Sequence, residues 1–203
     1  MPIYSQGHHI HQIGLRQRIS RKEGDKDFLQ DWHQPTGKDC LENHLPLLTD
    51  MDYLGNKELL KLPKTAFLAS STIPTDMVLK CYDWATQMAK EDQCVISGFS
   101  SHLEKEVFHF LMKGTCPIIL VLARVMFKQV PPELKTLLDV NRLLIVSTTK
   151  AVRQSKVTAK ARNKYICEIA DKILFVGVTE KSSLFPLKDM YKNKQSNRYG
   201  NSY

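Results

Sequence analysis

Ser70-Ser71 and the run Ser97-Gly98-Phe99-Ser100-Ser101 are the residues of this sequence best suited to holding an anion. Hydroxyls and backbone N–H groups at the start of a helix face the positive end of its dipole, where phosphates bind. The same residues also serve as ordinary caps and turns, and pattern alone leaves both readings open. Cations stand further along the chain. Lys150 to Tyr165 holds Lys150, Arg153, Lys156, Lys160, Arg162 and Lys164 with no acid between them. Such a run either solvates a helix face or binds a polyanion. The motifs of covalent or nucleotide chemistry are missing: the sequence has no GxGxxG, GxxxxGK[ST] or GxSxG, so a dinucleotide fingerprint, a P-loop and a nucleophile elbow are all unsupported. His102 and His109 are nearly two helical turns apart and read as packed or solvent-facing residues. His8, His9 and His11, with His33, Cys40 or His44, fit no standard zinc spacing, and no metal site is expected.

The anion-holding residues need elements to position them, and the apolar runs supply these. Thr65 to Ser70 reads as a buried strand ended by a turn at Pro74, after which Thr75 or Asp76 caps a helix bearing Met77, Cys81, Trp84 and Met88 at helical spacing. Cys94 to Ser97 is a second strand, and Ser100 or Ser101 caps a helix with Leu103, Val107, Phe110 and Leu111 on one face. Pro117 to Ala123, Leu143 to Ser147 and Ile173 to Val178 complete five strands. A helix opened by Pro131-Pro132 and another over Val157 to Ala170 alternate with them. Continuous apolar strands alternating with amphipathic helices predict an α/β fold, a Rossmann-like parallel sheet covered on both faces. In such a sheet ligands sit beyond the strand C-termini, which selects Ala69–Asp76, Ser97–Ser101, Ala123–Phe127 with Arg124, and the loop after Ser147.

The chain has 203 residues, 42% hydrophobic and 25% charged, the profile of one globular domain with appendages. Three parts are expected: an irregular N-terminal arm over 1–53, the Rossmann-like domain over 54–184 and a basic flexible tail over 185–203. The net charge of +8 is unevenly placed, with seven Lys/Arg against nine Asp/Glu in residues 1–60 and eighteen against eleven in 61–184. No apolar run approaches the roughly 18 residues that span a bilayer, and the N-terminus lacks the apolar centre of a secretory signal. Five scattered cysteines without CxxC spacing read as core residues in a reducing cytoplasm.

Taken in order, Lys64-Thr-Ala-Phe-Leu-Ala-Ser-Ser-Thr-Ile-Pro-Thr75, Val95-Ile-Ser-Gly-Phe-Ser-Ser-His-Leu-Glu104, Ile118-Ile-Leu-Val-Leu-Ala123 and Ala161-Arg-Asn-Lys-Tyr-Ile-Cys-Glu-Ile-Ala-Asp171 resemble the Rossmann-like core of the DNA-processing protein A (DprA/Smf) family. The resemblance covers roughly Leu54 to Leu184. Ser70-Ser71 stand at the family's glycine-serine-arginine turn, Ser97-Gly98 at its serine-glycine signature and Arg162-Asn163-Lys164 at its arginine-asparagine-arginine segment. Ser71 takes the place of the turn arginine, which removes a bidentate phosphate ligand; Glu104 stands for an aspartate, and Ser182-Ser183 echo a later serine-glycine turn. The resemblance implies binding of single-stranded DNA at a basic pocket, self-association as a homodimer and hand-over of the strand to a recombinase, without catalysis and without a cofactor. The implied phosphate-binding set is Ser70, Ser71, Ser97, Gly98, Phe99, Ser100, Ser101, Arg124, Arg162, Asn163 and Lys164. The alternative is a sensor of a nucleotide-derived small molecule in the same crevice; a phosphoribohydrolase is disfavoured because no PGGxGTxxE element occurs.

Overall fold

The computed structural model describes residues 51–196, and the expectations that fall on 1–50, the histidine-bearing arm included, and on 197–203 lie outside the described residues. Each of the five expected apolar runs forms a strand, because a strand buried on both faces gains apolar contact from every residue rather than from alternate ones. They are β2 (Lys64–Ala69), β3 (Cys94–Ser97), β4 (Ile118–Leu122), β5 (Leu143–Ser147) and β6 (Lys172–Val176). A sixth strand, β1 (Asp52–Gly55), is added ahead of them and straddles the boundary expected after residue 53. Four residues flanked by Met51 and Asn56 carry no periodic signal, so only pairing with β5 defines β1.

The sheet order is β1-β5-β4-β3-β2-β6, parallel throughout except that β1 runs antiparallel to β5. Four helices make the crossovers: α1 (Thr75–Met88), α2 (His102–Met112), α3 (Pro132–Asp139) and α4 (Lys156–Ile169). Helices α1, α2 and α3 cover one face, where Phe67, Val95, Ile118 and Ile145 meet Trp84, Val107 and Leu134. Helix α4 covers the other with a short helix α5 (Phe185–Met190), and there Ala66, Ile96, Ile119 and Leu144 meet Tyr165, Ile166 and Leu187. Phe67 stacks on Trp84 with ring centroids 5.0 Å apart.

Two local details differ from the sequence reading. Helix α1 is entered from Pro74, and neither Thr75 nor Asp76 supplies a side-chain cap. The segment after Phe185 folds back on the domain: Lys194 donates to the carbonyls of Cys167, Glu168 and Ala170 at 3.2, 2.8 and 2.9 Å, closing the C-terminus of α4. Gln195 then bridges to Ile173 beside β6.

The chain walks from β2 outward to β5 in one direction, then returns through α4 to place β6 on the opposite side of β2. Strands β2 and β6 are therefore the point where the winding reverses, and the loops leaving their C-terminal ends diverge to leave a crevice.

Candidate functional site

An open groove of about 1630 Å³ runs from that crevice along the outer edge of β6 to Ile173, Gln195 and Ser196. The β2 end contributes Ser70, Ser71 and Thr72, and the β6 end contributes Gly177 to Leu184. Ser70 Oγ and Ser182 Oγ lie 3.2 Å apart and join the two ends. Gly177 has φ +63°, and a Cβ there would press on Ile73 and the Thr72 carbonyl, so the two loops close on each other only because this residue is glycine.

Two of the sequence-selected segments converge here. Ser100, Ser101, Arg162 and Asn163 all line the groove. Arg162 is only 3% exposed; its Nη2 donates to Ser100 Oγ at 3.1 Å, and its Nε and Nη2 donate to Asn163 Oδ1 at 3.0 and 2.9 Å. The guanidinium lies across Gly98, where any Cβ would collide with it. Burial lowers the Arg162 pKa, and the charge of Glu104 counters that shift; the guanidinium stays protonated.

Glu104 is the residue the sequence reading leaves without a role. It is 4% exposed and lies in the first turn of α2, where Ser101 and Glu104 form a capping box. Its carboxylate accepts the backbone N–H of Ala69 at 3.0 Å, of Ser100 at 2.8 Å and of Ser101 at 3.1 Å. The backbone donors at the entry to α2 already hold an anion belonging to the chain.

The remaining expected residues are placed elsewhere. Ser97 is fully buried, and its hydroxyl accepts the Phe99 N–H at 3.2 Å. Phe99, at φ +42°, turns its ring inward onto Phe108, 4.5 Å between centroids, and so offers no face to a base. Gly98 lies beneath Arg162 and does not line the groove. Arg124 follows β4, away from β2 and β6, and covers the ring of Phe127 at 4.5 Å. Lys164 pairs with Glu168 at 3.6 Å and also lies outside the groove.

Residues outside the expected phosphate-binding set supply most of the groove's charge. Lys80 from α1, Lys181 from the loop after β6, and Lys188 and Lys192 from the following segment all line it. None of the four makes an ion pair within 4.0 Å among the described residues. Among the described residues the acids in the lining are Asp76 and Glu104. Lys80 and Lys181 stand apart in the sequence and Lys188 and Lys192 belong to the basic tail, so no single charge run marks the four; the tertiary fold gathers them. Among the described residues no cluster of His, Cys, Asp and Glu could hold a metal, and no helix is long and apolar enough to cross a membrane.

A six-stranded, mostly parallel Rossmann-like sheet flanked by helices, with an open groove at its winding reversal, defines an α/β protein of the Rossmann-like class. More specifically, residues 41–186 match the family model described as DNA recombination-mediator protein A, and the chain belongs to that family. Two solved structures share the fold. DNA processing protein A from Streptococcus pneumoniae superposes with a TM-score of 0.57 at 19% identity, over 71% of this chain and 52% of that one. The Helicobacter pylori protein, whose structure is described as giving insight into its single-stranded DNA binding mode, superposes with a TM-score of 0.57 at 18% identity, over 71% and 69%. The chain thus spans about half the length of the streptococcal protein. No curated protein matches it significantly by sequence.

Proposed function

We propose that the protein binds single-stranded DNA, without catalysis, in the groove between the C-terminal ends of β2 and β6. The observation that carries this reading is the charge of the lining: Lys80, Lys181, Lys188, Lys192 and Arg162 against Asp76 and Glu104, with the Glu104 carboxylate already engaged by three backbone amides. Lysines on flexible stems take phosphodiesters as point charges, while Ser70, Ser71 and Ser182 add hydroxyls at the floor. Arg162 and Asn163 act as the frame between groove and α2. Family membership supports the same ligand.

The groove's size argues against a small nucleotide as the main ligand. Pockets for small molecules enclose about 300–1,000 Å³ and bury most of their ligand, whereas this one is open and holds about 1630 Å³. A homodimer, a recombinase partner and a cytoplasmic site of action belong to the same proposal and rest on the family resemblance.

The test is a salt series with a labelled oligo-dT. Substituting Lys181, Lys188 and Lys192 together by alanine is expected to reduce the log–log salt slope by about 0.7 for each phosphate no longer neutralised, about 2 in all. A triple variant that binds as tightly as the wild type with an unchanged slope would refute the assignment.

A further inference from the structure

We propose that Glu104 is a built-in substitute for a phosphate and sets the groove's specificity: it excludes terminal phosphates, leaving ligands to be held by phosphodiester charges along a chain. The inference rests on the DNA reading above for the class of ligand, and on the geometry around Glu104 for the exclusion.

Three N–H donors converge on one carboxylate, that of Ala69 on Glu104 Oε1 and those of Ser100 and Ser101 on Oε2, with Ser100 Oγ at 3.4 Å from Oε2. They come from the end of β2 and the entry to the eleven-residue helix α2. This is the donor set a phosphate would draw. Glu104 satisfies it intramolecularly. It is also the nearby negative charge that favours the ionised form of Arg162, whose guanidinium is tied to the same Ser100 hydroxyl. The carboxylate, the cradle and Arg162 all line the groove, so an incoming phosphate meets a carboxylate with its donors spent. Among the described residues the other cations of the lining outside any ion pair lie further out, at Lys80, Lys181, Lys188 and Lys192. Those four suit several phosphodiesters in succession better than one doubly charged end group.

The direct test frees the cradle. In Glu104→Ala, inorganic phosphate should fill the vacated donors and raise the thermal midpoint by about 3 °C or more beyond its effect on the wild type, since a ligand bound by the native state alone stabilises by mass action. Wild type supplies the baseline for the general stabilising action of phosphate as a salt. An equal rise in both proteins, or no excess in the variant, overturns the proposal.

A second measurement needs only the wild type and covers the case of a variant that does not fold. Oligo-dT with and without a 5′-phosphate should bind with affinities within about twofold, since a single extra contact at the cradle would be worth far more than that. Binding tenfold tighter for the 5′-phosphorylated strand would show the cradle open and sink the idea. Failure of the wild type to bind either oligonucleotide counts against the DNA reading, while the phosphate response of Glu104→Ala still judges Glu104 separately.

Discussion

Arg162 is a permanently charged side chain withdrawn almost wholly from water, which is tolerable only with its donors paired and a counter-charge nearby. Asn163 Oδ1 accepts two of those donors and Ser100 Oγ another, and Glu104 supplies the charge. Asn163 is therefore a structural partner of its own neighbour. Replacing it by alanine strands two guanidinium N–H groups and should destabilise by about 1.5–3 kcal/mol, the range for hydrogen bonds to charged groups. Urea unfolding would read this as a lower midpoint at unchanged slope. A midpoint equal to wild type would mean that water replaces Asn163 freely and that the guanidinium is less enclosed than its surroundings imply. The same neighbourhood explains Gly98: any Cβ displaces the guanidinium, so glycine at this position serves close packing of Arg162.

At the scale of elements, α4 is held at both ends by side chains remote from its apolar stripe. Ser155 and Thr158 form a capping box at its start. At its end Lys194 satisfies three carbonyls that the helix geometry leaves without intrahelical partners. That ammonium, together with the buried Leu187 and the bridge from Gln195 to Ile173, ties the segment bearing Lys188 and Lys192 to the domain, and with it half of the groove's lysines. Lys194→Met keeps the aliphatic stem and removes the donors. It should speed amide exchange and proteolysis within 185–196 while leaving β2 to β5 protected. Uniform loosening of the whole domain would instead mean that the segment folds as one unit with the sheet. A basic tail is legible in the composition, but its docking is not, because a lone lysine reaching back to Cys167, Glu168 and Ala170 leaves no periodic trace.

For the whole molecule, the core's thiols make a pH prediction. Burial pushes Cys81 up to about 11 and Cys94 and Cys167 up to about 12, and raises Cys116. The native state thus keeps these thiols protonated when the unfolded chain, with ordinary values near 9.0, ionises them. Above pH 9 the unfolded state binds fewer protons than the native state, so stability falls as pH rises, through the window from 9 to about 11–12. Below pH 8 these groups contribute no slope. Urea midpoints at pH 7.5, 9 and 10.5, measured under reducing conditions, should be flat at first and then drop. A constant midpoint would contradict the burial of the four thiols.

The amino-acid sequence by itself determined the alternation of five apolar strands with amphipathic helices and the family they mark. It also placed the serine-bearing turns and the Arg162-Asn163 pair, since desolvation, helical period and capping act between residues close in the chain. Only the tertiary structure decided which of those turns face one another. Returning β6 to the far side of β2 gathers Lys80, Lys181, Lys188 and Lys192 around one groove and leaves Arg124 and Lys164 outside it. It also folds Glu104 onto the amides of the bend that local pattern offers to a ligand. Strand order is set by long-range packing of both sheet faces, and a residue's partner across such a crevice is fixed by that order rather than by its neighbours in sequence.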